Sequence, residues 1–304
     1  MSKAITFSEY GPPEVLRLSE VTAAQPGPGQ VRIRVRAASV NPFDMKVRSG
    51  LMAGAVPARF PVVPGLDAAG VVDAVGEGAG AAVGDEVLGA TVGGAYSEYA
   101  LLERPVAKPA ALPWEVAASL VTVGRTAARV LAESGVRQGQ TLLVHGAGGS
   151  VGIIAAQLAV TRGITVIATV GERDIERLTE LGATAVRYGD GWVGRVEAAA
   201  PQGVDFVLDA SGAGVLADSV ALTGDSAHVL TIADMSAAQH GVRFSAGSAG
   251  GADQAEDPLP QLAALAAEGR LTLPVWRTYP LAEAATAHAD LEARRNRGKA
   301  VLLP

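Results

Sequence analysis

The chain has 304 residues, 49% of them hydrophobic, 18% charged and 4% aromatic, with a formal net charge of −6. It has no cysteine and only His145, His228, His240 and His288, which excludes disulfides, thiol nucleophiles and cysteine-ligated zinc and leaves no histidine-rich metal site. The acidic balance, free of any basic run, argues against a nucleic-acid partner. No apolar stretch approaches the roughly 20 residues that span a bilayer, and the opening "MSKAITFSEY" lacks a signal-peptide core, so a chain of the cytoplasm with two lobes is expected.

Up to about residue 110 the pattern is one of short strands and turns. "PGPG" at 26–29 marks a turn, and Val31 to Val35 alternate apolar and polar residues, the period of a half-buried strand. "AAGVVDAVGEGAGAAVGDEVLG" supplies two Val-rich strands separated by glycine turns. This spacing predicts a small, closed, mostly antiparallel β domain. "WEVAASLVTVGRTAARVLAESG" then predicts a helix from Trp114 that stops at Gly135.

Strands and helices alternate from there. "TLLVHG" precedes "SVGIIAAQLAVTRG", "ITVIAT" precedes "RDIERLTELG", "DFVLDAS" precedes "VLADSVAL", and "HVLTIA" follows. Near-continuous apolar strands of this kind belong to a parallel sheet covered on both faces, so the fold class is α/β with a doubly wound sheet. "SAGSAGGADQAED" at 245–257 reads as a surface loop, and the closing "GKAVLLP" as a strand returning to the first lobe.

The glycines after "TLLVH" point to a ligand. Strand, glycine turn and helix succeed one another as a dinucleotide site requires, and Gly146, Gly149 and Gly152 fit a G-x-x-G-x-x-G frame. Free N–H groups at the helix start attract a diphosphate, Gly149 allows close approach, and Gly152 lets helix and strand pack closely. No lysine stands where a nucleoside triphosphate loop needs one. The next strand ends "VIATVGERD", with no carboxylate at its tip to repel a 2′-phosphate; Thr169 offers a hydroxyl and Arg173 a guanidinium. NADPH is therefore expected over NADH, the competing reading being that Arg173 simply pairs with Glu172 or Asp174.

Several stretches together resemble the medium-chain dehydrogenase/reductase superfamily, specifically its zinc-free quinone oxidoreductase branch. They are "GPPEVLRL" at 11–18, "NPFDMKVRSG" at 41–50, "PVVPGLDAAGVV" at 61–72, "GDEVLG" at 84–89, "GAYSEYALL" at 94–102, the glycine turn, and "RGKAVLLP" at 297–304. The resemblance implies a discontinuous GroES-like substrate domain (1–115 and 272–304), a Rossmann-like NADP-binding domain (116–271), a cleft between them, and a homodimer. It places Asn41 and Asp44 of "NPxD" beside nicotinamide and substrate, Ser150 and Val151 at the diphosphate, and Arg173 and Tyr188 at the adenosine phosphate. Zinc-dependent members carry "GHE" where this chain has Gly65-Leu66-Asp67, and Leu66 cannot bind a metal, so none is expected. Met52 stands where enoyl reductases of the superfamily have a tyrosine proton donor, and Lys46 where quinone oxidoreductases often have one.

Without metal or thiol, the chemistry that remains is hydride transfer to a quinone or to the activated C=C of an α,β-unsaturated carbonyl. The protein then orients and desolvates its partners. Asn41, or Thr122 or Thr126 of the long helix, is the candidate donor to a developing oxyanion, and Lys46 or water the proton source. His145 is expected to be a satisfied core histidine, and Asp209 either a neighbour of the coenzyme or a cap. The alternatives are a zinc-free alcohol or ketone dehydrogenase and a non-catalytic NADPH-binding protein.

Overall fold

The computed structural model describes residues 1–247 and 256–304; the expected surface loop at 245–257 thus falls mostly outside the described residues. The chain forms two compact units, Met1–Thr122 with Leu259–Pro304, and Val123–Pro258. The expectation had been 1–115 with 272–304 and 116–271. Two elements account for the difference: the first helix of the middle segment is continuous through the boundary, and a later helix packs with the first unit.

The first unit opens with β1 (Ser2–Thr6) and β2 (Arg17–Val21), an antiparallel pair. Next come β3 (Val31–Ser39), α1 (Pro42–Arg48), β4 (Asp67–Val75), β5 (Glu86–Val92), β6 (Tyr99–Leu102) and the short β7 (Val106–Ala107). β3 pairs with β4 along its length and also with β6 through Val31–Arg34, so β3, β4, β5 and β6 close into a ring of antiparallel strands. That is the closed β domain the sequence spacing predicts. Val31, Ile33 and Val35 face the core of this barrel beside Val72, Val87 and Leu102. Two register shifts in β3 let its end leave β6 and continue elsewhere.

Helix α2 (Trp114–Ser134) ends before Gly135, whose φ of +70° suits the left-handed cap expected of it. The second unit follows: β8 (Thr141–His145), α3 (Ser150–Thr161), β9 (Thr165–Val170), α4 (Ile175–Glu180), β10 (Thr184–Arg187), α5 (Trp192–Ala199), β11 (Phe206–Asp209), α6 (Leu216–Thr223), β12 (Val229–Thr231) and β13 (Arg243–Phe244). The sheet is parallel, in the order β10-β9-β8-β11-β12-β13. The chain winds outward from β8 one way and then from β11 the other, so the carboxyl ends of β8 and β11 form a topological switch point, where ligands of open α/β sheets bind. β10, α5 and β13 are too short or too polar to have been read from the sequence pattern.

The chain then returns through α7 (Leu259–Ala267), which packs against β7, then β14 (Val275–Pro280), α8 (Ala284–Glu292) and β15 (Lys299–Leu303). β15 joins the end of β3 antiparallel at Ala38 and Ser39, so the closing strand does rejoin the first unit. Among the described residues, no helix is long and apolar enough to cross a membrane.

The barrel depends on a close approach at Gly70 of β4, where a Cβ would lie 2.2 Å from the Arg34 carbonyl oxygen of β3. Backbone cannot swing aside as a side chain can. Gly70→Ala should cost about 1–3 kcal/mol in denaturant unfolding, whereas Gly80→Ala, where a Cβ meets nothing within 4 Å, should change it little. Equal stability of the two variants would contradict this packing.

Candidate active site

In the first unit the site grows from the start of α1. Asn41 precedes Pro42, which pre-sets the first helical φ, and Asp44 reaches back so that its Oδ2 accepts the Asn41 N–H at 2.8 Å. The Asn41 side chain is thereby free for other work. Its Nδ2 donates to Asp67 Oδ2 at 2.9 Å, and its Oδ1 accepts from Lys299 Nζ at 2.7 Å. A lysine only donates and a carboxylate only accepts, so the amide has one possible orientation.

Asp67, at the start of β4, collects further donors: Thr122 Oγ1 at 2.6 Å, Thr122 N–H at 3.2 Å and Ser39 Oγ at 3.4 Å. Lys299 opens β15 and also donates to the Val40 carbonyl at 3.0 Å. On the far side, Asp44 Oδ2 accepts the Tyr96 hydroxyl at 3.0 Å, and the Tyr96 oxygen lies 3.2 Å from His288 Nε2. Since the Tyr96 proton goes to Asp44, His288 donates through Nε2. The Tyr96 ring sits on Gly65, where a Cβ would be 2.4 Å away and φ is +99°. Asn41, Asp44, Asp67, Lys299 and His288 are all buried.

Burial decides the protonation of this cluster. It pushes the Asp44 carboxyl up to about 7, aided by the Asp67 charge and opposed by the Asn41 N–H, the Tyr96 hydroxyl and Lys299. Burial also lowers Lys299, against the pull of Asp67 and Asp44, and holds His288 at about 3, with Arg48 adding to the effect. The Tyr96 hydroxyl is raised well above its ordinary value by burial and by Asp44, so it remains a donor.

The expectations for this half need two corrections. Lys46 is exposed, because two residues along a helix from Asp44 is almost the opposite face, so it does not join the cluster. Thr126 is half-buried and its hydroxyl makes no hydrogen bond among the described residues; Thr122, one turn earlier, supplies the hydroxyl to Asp67. Asp44 is not paired with Lys46 or Arg48, since Arg48 pairs with Glu292. Lys299, Tyr96 and His288 went unread. Lysine at the head of the apolar run "KAVLL" was the one available signal of a buried charge.

In the second unit, β8 delivers His145 and then the glycine turn. Gly146 has φ +73°, and a Cβ on it would lie 3.1 Å from Ala210 C and Ser211 N, so the turn after β8 packs on the turn after β11 at the switch point. A Cβ on Gly152 would lie 2.4 Å from the Gly146 carbonyl oxygen, which is the close helix–strand packing expected there. Gly149 takes the N-cap position of α3. The N–H groups of Ser150, Val151 and Gly152, in the first turn, therefore have no intrahelical acceptor.

Thr169 departs from its expected role. It is buried, and its Oγ1 meets His145 Nδ1 at 2.9 Å, so the hydroxyl is committed inward and not to a phosphate. His145 also contacts Ser219 Oγ at 3.3 Å and the edge of Trp192, with ring centroids 4.6 Å apart; burial lowers it to about 4, keeping it neutral. It is the satisfied core histidine expected. Asp209 accepts from Ser211 N, Ser211 Oγ, Gly212 N and Thr231 Oγ1 at 2.7–3.1 Å, so it ties down the turn after β11.

Beyond β9, Arg173 is exposed, and both flanking carboxylates have other partners: Glu172 pairs with Arg187 at 3.1 Å and Asp174 with Arg177 at 2.7 Å. The exposed Tyr188 ring covers Gly171, where a Cβ would be 3.3 Å from its edge. The tip of β9 carries no carboxylate, as expected, but Asp174 of the loop that follows reaches back to the glycine turn, its Oδ2 2.7 Å from where a Gly148 Cβ would be.

A model of the alcohol dehydrogenase GroES-like domain matches residues 27–111, and one of a zinc-binding dehydrogenase matches residues 181–302. A quinone oxidoreductase of Pseudomonas aeruginosa is 34% identical over 100% of both chains. The chain belongs to the quinone oxidoreductase branch of the medium-chain dehydrogenase/reductases. Within that family, the quinone oxidoreductase of Coxiella burnetii superposes with a TM-score of 0.87 at 32% identity, covering 100% of this chain and 99% of that one. The Escherichia coli quinone oxidoreductase, solved in complex with NADPH, gives 0.86 at 27% identity, covering 99% and 100%. The zinc in the name of one matching model does not suit these residues. Asp67 is saturated by hydrogen-bond donors, a lysine ammonium shares its pocket, and among the described residues no group of three histidine or acidic side chains converges.

The raised Asp44 carboxyl sets a pH dependence. Its proton is held up to about pH 7 in the folded chain, against an ordinary value of 3.8, so the stability it contributes is present below about pH 4 and lost as pH rises to 7. Asp44→Asn keeps an acceptor oxygen and removes the titration. Between pH values of about 5 and 8 the wild type should lose stability relative to this variant in urea unfolding. A difference that stays constant over that interval would contradict the assignment.

Proposed function

We propose that this chain is an NADPH-dependent, zinc-independent oxidoreductase that reduces a quinone or the activated C=C of an α,β-unsaturated carbonyl, in the cytoplasm and as a homodimer. The observation that carries the reading is the glycine turn that leads into the N-terminus of α3 at the switch point of the parallel sheet. The three free N–H groups there and the helix dipole suit a diphosphate. In this reading Gly146, Gly149 and Gly152 shape that turn, Ser150 and Val151 present their amides, and the exposed Arg173 and Tyr188 supply a cation and a hydroxyl to the adenosine 2′-phosphate.

When bound, NADPH supplies a hydride. The chain's own residues bind, orient and donate. Asn41 is held by Lys299 and Asp67 with its amide N–H₂ in one orientation, so its second N–H is a fixed donor for an oxygen that gains charge. Thr122 locks Asp67, and Asp44 with Tyr96 fixes the start of α1. With Lys46 turned to solvent, water is the proton source that fits the product enolate or hydroquinone. The proposed homodimer would use the sheet edge at β13, whose two residues are exposed, to meet a second copy.

A screen of NADPH oxidation with p-quinones, enones and 2-enoyl thioesters tests the reaction, and turnover with at least one class is expected. Arg173→Ala should raise the KM for NADPH about tenfold, the loss of one charge-assisted contact, and leave that for NADH unchanged. No turnover with any class, or the same KM change for both coenzymes, would overturn the respective part.

A further inference from the structure

Asp174 raises a problem for the coenzyme reading that no neighbouring residue removes except one. Its Oδ2 lies 2.7 Å from the Cβ position of Gly148, in the middle of the glycine turn. Dinucleotide folds use a carboxylate about 20 residues beyond the glycine turn, near the end of the second strand, to hold the ribose hydroxyl, and such a group repels a 2′-phosphate; Asp174 lies just beyond that strand and folds back to the turn. Arg177, three residues on, closes over it. Its Nη2 lies 2.7 Å from Asp174 Oδ1 and 3.3 Å from the Gly148 carbonyl oxygen, and its Nε is buried without a hydrogen-bond partner among the described residues. The guanidinium thus binds the carboxylate and the turn backbone at once. The nearby Glu172 is already engaged by Arg187, so it makes no claim on Arg177.

We infer that Asp174 and Arg177 form a charge-compensated pair facing the adenosine ribose, in which Arg177 is the specificity-determining residue that makes a 2′-phosphate acceptable. This rests on the proposed use of a pyridine dinucleotide and names what selects between its two forms. Acceptance of the phosphate then comes from neutralising a carboxylate in place, together with Arg173, and not from lacking one. Removing Arg177 uncovers Asp174, which penalises NADPH and leaves NADH the ribose contact. Removing both charges restores neutrality, so the two substitutions are non-additive.

The test is the ratio of Kd values for NADPH and NADH, read by coenzyme fluorescence on the full-length protein. Variants are Arg177→Met, Arg177→Lys, Asp174→Asn and the double variant Asp174→Asn/Arg177→Met. Arg177→Met should shift the ratio toward NADH by about tenfold or more, Arg177→Lys should recover most of it, and the double variant should shift far less than Arg177→Met alone. A pair that only braces the turn moves both coenzymes equally, so an unchanged ratio overturns the inference while coenzyme use stands. Binding of neither coenzyme by the wild type overturns both. Should Arg177→Met fail to fold, the Arg177→Lys and Asp174→Asn ratios decide, the latter predicted to move toward NADPH.

Discussion

Everything at the coenzyme end follows from how closely α3 is pressed onto β8. A single Cβ at Gly152 would fall 2.4 Å from the Gly146 carbonyl, so the helix can start where it does only with glycine there. The helix behind it is buried almost all round, from Gly152 to Ala159, and has no freedom to retreat. Close packing therefore fixes the direction of the first-turn amides. A loosely docked helix with the same sequence would still carry a dipole, but its N–H groups would not hold one position against a ligand.

The cluster at the start of α1 relies on the opposite resource, a dense set of buried polar groups. Burying Asp44, Asp67 and Lys299 is expensive unless each lone pair and proton finds a partner. Here the partners come from separate elements: β3, α1, β4, α2, α8 and β15 each contribute a residue. The consequence is specificity of geometry. Asn41 can orient its amide only one way, and the Tyr96 hydroxyl is held between Asp44 and His288. Such a network ties the very end of the chain to its first fifty residues, which is why the discontinuous unit closes on itself.

Much of the architecture was legible because apolar periodicity and glycine placement are local properties. The β8–turn–α3 unit, α2 with its Gly135 stop and the returning β15 all follow from residues adjacent in sequence. What was not legible depends on residues far apart. Nothing in "VIATVGERD" shows that Asp174 folds back over Gly148 or that Thr169 points inward to His145, since both depend on the path after β9. The same holds for Lys299, whose partner Asn41 lies 258 positions away. Lys46 entered as a proton source from its place in the resemblance, where a tyrosine often stands, and that alignment carries no information about which face of α1 it occupies.

The central claim is that bare amides at the start of α3 hold the diphosphate of a pyridine dinucleotide. Backbone ¹H–¹⁵N spectra recorded with and without NADPH read those amides one by one. The account predicts that Ser150, Val151 and Gly152 shift on addition of NADPH far more than amides elsewhere in α3, and that a quinone alone leaves them in place. NADPH binding with these three resonances unmoved would contradict it.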